Sequence, residues 1–202
     1  MSSLFLEHDE PSGPLRFQLV LLRRMEDHNP GLVESALRAL DVPKEQMREA
    51  HRRWQGRLRA GNRSTPPTVR DYTALLGAPE SITPRPFGDM RSEAYAWAVP
   101  LWPDLRFEAT VVPGGVAVNA WLVRAPGAQS PELRTLADLT PWSATVDEVA
   151  HAFPPATPKE GDTDNRFRLD FQAPDADGLP RACTAEFAWG LLQRWDTADP
   201  NR

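Results

Sequence analysis

Three carboxylates, Glu108, Asp170 and Glu186, stand in segments that alternate apolar and polar residues, and they are the side chains best placed for acid–base work. A period of two sends Leu105, Phe107 and Ala109 to one face of a strand and Arg106 and Glu108 to the other. The same rule puts Asn119 and Trp121 on that far face, and Arg168, Asp170, Thr184 and Glu186 join them if all the strands share one sheet. Paired carboxylates act as general acid and base only where their surroundings separate their pKa values. Without enclosure the same pattern describes a solvated outer face crossed by ion pairs, or an open face that binds a partner.

Other reactive groups form no pattern. The four histidines, His8, His28, His51 and His151, lack metal-ligand spacing, and the single cysteine cannot complete a cluster, so neither a metal nor a cofactor is expected. Cys183 falls on the apolar side of an alternating strand and reads as a packed thiol rather than a nucleophile. No Gly-x-Ser-x-Gly elbow or Gly-rich phosphate loop is present, and Gly114-Gly115 lies between two strands, where it makes a turn.

Charge offers a second candidate surface. The chain carries net charge −5, yet residues 1–70 hold 12 Arg and Lys against 9 acids, while residues 71–202 hold 11 against 19. The basic excess sits mostly between Lys44 and Arg63, and within 44–60 Arg48, Arg52, Arg53, Arg57 and Arg59 cover the polar side of a helix. Such a face attracts an acidic protein or peptide, or forms pairs along the helix with Glu45 and Glu49. Its loose helix-turn-helix appearance also allows a DNA-binding regulator, but the acidic second half argues against a polyanion. Among seven tryptophans, Trp102 stands beside prolines in a loop and Trp121 on the far sheet face, so both are candidate partner anchors.

These groups need elements to position them. Apolar spacing predicts helices over 15–27, from Pro30 (with Asn29 as N-cap) to Val42, over 44–60 with Gly61-Asn62 as the stop, and from Thr68 to Leu76. Three strands follow, near 95–99, 105–111 and 116–122, the last two joined at Pro113-Gly114-Gly115. Residues 125–142 read as loop with one helical turn near Pro131. A capping box of Thr145 and Glu148 opens a helix to Phe153. Residues 154–165 read as a polar, mobile loop, and 167–172 and 182–192 as two more strands. No internal repeat is visible. The expected fold is α+β: a helical N-terminal segment, 1–77, of three to four helices, then a mainly antiparallel five-stranded sheet with one further helix, 92–195. A Pro-rich connector spans 78–91 and a polar tail 196–202.

Composition limits the function classes. Hydrophobic residues make up 41 %, enough for a packed core. The start MSSLFLEHDEPSG lacks a basic n-region and does not read as a signal peptide. One cysteine and no long apolar run fit a cytoplasmic protein without a membrane span. Abundant Arg and Pro beside scarce Lys suggest a GC-rich bacterial source. The expectation is a non-catalytic accessory or adaptor protein that binds a protein or acidic peptide, for example a maturation enzyme, its precursor peptide or a toxin. A small enzyme with a carboxylate base on the sheet face is the alternative, and a DNA-binding regulator acting through 44–60 the second.

Overall fold

The computed structural model describes residues 13–59, 66–160 and 165–197. The expected stop at Gly61-Asn62, part of the 154–165 loop and most of the tail lie outside them.

Four helices come first: α1 (Gly13–Met25), α2 (Pro30–Ala39), α3 (Lys44–Leu58) and α4 (Val69–Leu76). α1 carries apolar residues almost all round, and Phe17, Leu19, Val20, Leu21, Leu22 and Met25 are all buried. A helix of that kind becomes the centre of its layer. Phe17 meets Trp54 of α3 edge-on at 5.8 Å and Phe107 at 4.6 Å, which joins helices to sheet.

The expected five-stranded sheet is instead two four-stranded antiparallel sheets with α5 (Val146–Ala152) between them in sequence. The first runs β1 (Ser81–Phe87), β2 (Met90–Ala98), β3 (Leu105–Val111), β4 (Ala117–Arg124), each strand beside the next. The second runs β5 (Thr157–Glu160), β6 (Arg166–Pro174), β7 (Pro180–Ala188), β8 (Leu191–Thr197) in the same order. A short 3-10 turn, Leu136–Asp138, precedes α5, later than the turn expected near Pro131.

Three segments read as irregular or continuous account for the extra strands. The Pro-rich stretch expected to be a connector holds β1, paired with β2 from Ser81↔Ala96 to Phe87↔Met90. Pro84 and Pro86 are two apart, so their missing N–H groups point the same way, and an edge strand tolerates that. The polar loop holds β5, whose Thr157 and Lys159 pair with Asp170 and Arg168. The stretch 182–192 is β7, a two-residue turn at Trp189-Gly190, and the start of β8, which runs on so that Asp196 and Thr197 lie in a strand and not in a tail. Both turn residues have positive φ, 53° and 74°, as the tight I′ hairpin requires. A tryptophan there carries no turn signal.

The two halves repeat one arrangement, although the sequence shows no repeat. Thr68 and Thr145 each cap a helix through a box closed by the third residue on, Asp71 and Glu148. Val69 N–H donates to Gly115 at 3.0 Å, and Val146 N–H to Gly190 at 2.9 Å. Ala117 N–H donates to Pro67 and Leu192 N–H to Ala144, both at 2.9 Å. In each half the helix N-cap therefore bridges the start of the fourth strand, Thr68 to Val116 and Thr145 to Leu191. Backbone bonds carry the correspondence, so few side chains have to match.

The halves also interlock. Trp121 of β4 packs against the second core, with α5, β6 and β7. Trp189, between β7 and β8, enters the first core and meets Phe17 and Phe107 edge-on. Leu122 N–H donates to Trp189 O at 2.7 Å across the junction. Arg124 grips Glu148 in two hydrogen bonds of 2.8 and 3.0 Å, tying β4 to α5.

Candidate functional site

The turn between α1 and α2 rests on the outer face of the second sheet. Asn29 precedes Pro30 as expected, but its side chain makes no cap bond. Its Nδ2 donates to Gln193 O at 2.8 Å and to Gln193 Oε1 at 3.2 Å, and Trp142 Nε1 donates to the same Oε1 at 3.1 Å. Gln193 is fully buried, so these bonds form where water does not compete. The pinned turn brings His28 onto β7, with Nδ1 3.3 Å from Glu186 Oε2.

Glu186 stands in a cross-strand row, Lys159, Arg168, Glu186 and Arg194, set by the register of β5 to β8. Arg194 donates to both its oxygens, at 2.9 and 3.0 Å, and Arg168 Nε lies 3.5 Å from Oε1. On the neighbouring turn, Asp27 accepts from Arg23 at 2.8 Å and from Arg166. Asp27, His28, Arg166, Phe167, Arg168, Glu186, Phe187 and Arg194 line a cleft of about 270 Å³.

Electrostatics fix the state of these groups. The Arg194 guanidinium, with Arg168 and His28, outweighs burial and holds Glu186 below the usual carboxylate range. Burial acts to raise Asp27, but the bond from Arg23 and the charges of Arg23, Arg166 and Arg24 win and lower it. Burial lowers His28, Arg166 and Arg194 lower it further, and Glu186 and Asp27 oppose. The cleft thus holds ionised acids in guanidinium clamps beside an imidazole that prefers to be neutral. His28 Nε2 and Arg166 Nε are buried without a hydrogen-bond partner.

The three carboxylates singled out in the sequence do not meet in one site. Asp170 and Glu186 do share the outer face of the second sheet, as alternation requires. Asp170 accepts from Thr184 at 2.7 Å and lies 3.6 Å from Lys159 Nζ, a cross-strand arrangement. Glu108 belongs to the first sheet, opposite Ala96 and Trp121. It is 8 % exposed, and Arg85 Nη1 lies 3.2 Å from an Oε1 that makes no hydrogen bond. Burial raises its carboxyl, and Arg85 only partly offsets that.

The arginines of α3 are exposed, but several are matched. Arg52 and Arg53 both bond Glu49, at 2.5 and 2.9 Å, Arg48 stands 4.0 Å from Glu45, and Arg57 donates to Asp71 at 3.1 Å. Arg59 is exposed at the end of the helix. Trp102, expected at a partner surface, is buried at 8 % and packs edge-on against Trp142 at 5.6 Å. Trp121 is half-buried in the junction between halves. Cys183 is buried against the second core, which raises its thiol. No group of three His, Cys, Asp or Glu side chains able to hold a metal occurs among the described residues.

Sequence spacing missed His28, Asp27, Arg166 and Arg194 as members of one cleft. The signal it held was partial: alternation placed Arg168 and Glu186 on a common face. The approach of 27–28 to that face depends on the Asn29–Gln193 contact, which spans 164 residues.

No protein-family model matches the chain, and no curated protein matches it. Among solved structures, a putative beta-lactamase inhibitor protein from Streptococcus mutans is similar over 70 % of this chain and 87 % of its own, with 10 % identity and a TM-score of 0.28. A score that low carries no argument about fold or function. No helix among the described residues is long and apolar enough to cross a membrane.

Proposed function

We propose that this is a non-catalytic accessory protein that binds a protein or peptide partner through the outer face of the second sheet, centred on the His28–Glu186 cleft. The state of Glu186 carries this reading. A general base needs a carboxyl poised near the working pH. Glu186 is pulled the other way and clamped by Arg194, so its chemistry favours recognition over proton transfer. Charged donors left around it give the face specificity for a partner's polar groups.

The test is quantitative capture with the full chain as bait. Wild type, the pair Arg166→Gln and Arg194→Gln, and the pair Arg52→Gln and Arg53→Gln are compared, with complex mass from light scattering. A stoichiometric partner retained by the α3 pair and lost by the cleft pair supports the reading. Retention by the cleft pair overturns it.

One observation favours an enzyme instead: burial lifts the Glu108 carboxyl, the direction that suits a general base. A turnover found in the wild type and abolished by Glu108→Gln, with partner capture absent, would establish that reading.

A further inference from the structure

We propose that the cleft between the α1–α2 turn and strands β6 to β8 binds the carboxylate group of an acidic peptide segment, held by Arg166, Arg194 and His28. The proposal rests on the partner-binding reading and names the chemical group that the partner presents.

Charge sets the sign of the ligand. Three guanidinium groups, Arg166, Arg168 and Arg194, face two carboxylates, Asp27 and Glu186, so the lining holds one positive charge in excess with His28 neutral. Lys159, next in the row on β5, is matched by Asp170 at 3.6 Å and leaves that excess unchanged. This local excess sits on a chain of net charge −5, so it is a feature of the site and not of the average surface.

The magnitude of that excess selects among anions. One surplus charge matches a monoanion. A dianion such as a phosphate group would meet the resident Glu186 and Asp27 with its second charge unmatched. A carboxylate also fits the planar fork of a guanidinium, the contact Arg194 already makes with Glu186.

Unfilled hydrogen-bonding capacity marks the seat. Arg166 gives a terminal N–H to Asp27 while its Nε is buried without an acceptor. His28 turns Nδ1 to Glu186 and leaves Nε2 buried and unpartnered. The unfilled Arg166 Nε costs free energy in the unliganded protein, and an incoming carboxylate offers it an acceptor, while His28 Nε2 can donate to the same carboxylate only once the imidazole is protonated.

A consequence follows for protons. The groups around His28 are Asp27 on its own turn, Arg166 and Arg168 on β6, Glu186 on β7 and Arg194 on β8. Burial, with the charges of Arg166 and Arg194, disfavours a proton on His28 in the free protein, against the pull of Glu186 and Asp27. A bound carboxylate adds negative charge and supplies the acceptor that a protonated Nε2 needs, so binding and protonation favour each other.

The experiment follows the His28 imidazole resonance by NMR in the full chain, titrated with pH, alone and with a blocked peptide carrying a single aspartate or sodium sulfate at matched ionic strength. The peptide is expected to raise the His28 midpoint by about one pH unit and to bind up to about tenfold more tightly at pH 5 than at pH 8. Arg166→Gln with Arg194→Gln abolishes the shift, Arg52→Gln keeps it, and Arg194→Lys, which keeps the charge but not the fork, retains part of it. An unmoved His28 resonance at millimolar peptide overturns the proposal. An equal or larger shift with sulfate overturns the carboxylate assignment in favour of a dianion seat. A positive peptide result beside failed partner capture would refute the partner reading while leaving the seat intact, and the reverse result would do the opposite.

Discussion

Replacing Gly190 by alanine isolates the contact that locks the two halves together. Gly190 has φ 74°, and a Cβ built there falls 2.7 Å from Trp121 Cβ and 3.2 Å from both Leu122 O and Trp121 Cγ. Gly115 takes the same role in the first half: its carbonyl receives Val69 N–H as that of Gly190 receives Val146 N–H. Its φ is 83°, but the nearest atom to a built Cβ is Val69 Cγ1 at 3.8 Å, an ordinary contact. Gly115→Ala thus meets only the left-handed backbone penalty, about 1–2 kcal/mol. Gly190→Ala meets that penalty and an overpacked junction, about 1–3 kcal/mol more. Relief by backbone movement would strain the Leu122–Trp189 bond as well. The expected losses are about 1–2 and about 2–5 kcal/mol, or Tm reductions of roughly 3–6 °C and 6–15 °C. Urea unfolding followed by circular dichroism and tryptophan fluorescence measures both. Equal losses for the two variants would refute the close-approach argument, because only the clash separates them.

Four further outcomes are expected. Glu148→Ala removes both the α5 capping box and the partner of Arg124, and should destabilise by about 3 kcal/mol in denaturant melts, against about 1 kcal/mol for Thr145→Ala, which removes the cap alone. Burial, with Arg24 and Arg23 nearby, lowers His51 to about 4, so the unfolded chain takes up its proton first as pH falls from about 6.5. The stability difference between wild type and His51→Gln should then move against wild type by on the order of 1–2 kcal/mol between pH 7 and pH 4, less than full linkage because solvent reaches the ring; an unchanged difference would show that the ring is not held neutral. Buried Cys183 should react with a thiol reagent only as fast as the protein opens, and immediate stoichiometric labelling of the native chain would contradict its packing. Charge reversal at Arg52 and Arg53 should leave peptide binding unchanged within about twofold in calorimetry, since both already pair with Glu49.

Local physics was legible in the sequence where one element's own pattern decides its state. The apolar stripe of 44–58, Pro30 at a helix start, the Thr145–Glu148 box and the alternation of 105–111 each produced the expected element. Alternation also placed Arg168 with Glu186 and Asp170 with Thr184, because side-chain period depends on the strand alone. What local pattern misread were β1, β5 and the β7–β8 turn. Two prolines are tolerated on an edge only because β2 pairs the other side, and Trp189 holds a positive φ while its ring fills a core built by other elements.

The amino-acid sequence by itself determined the α+β class, the order of helices before strands, and the charge that each strand face carries. Tertiary structure decided that the strands form two sheets rather than one, that the halves repeat a helix-and-meander plan, and that Glu108 stands apart from Glu186. It also decided that His28 meets Glu186 across a separation no local pattern encodes. The reason is the range of the interactions: propensity and periodicity act over a few residues, whereas the Asn29–Gln193 bond and the exchanged tryptophans exist only once distant segments have packed.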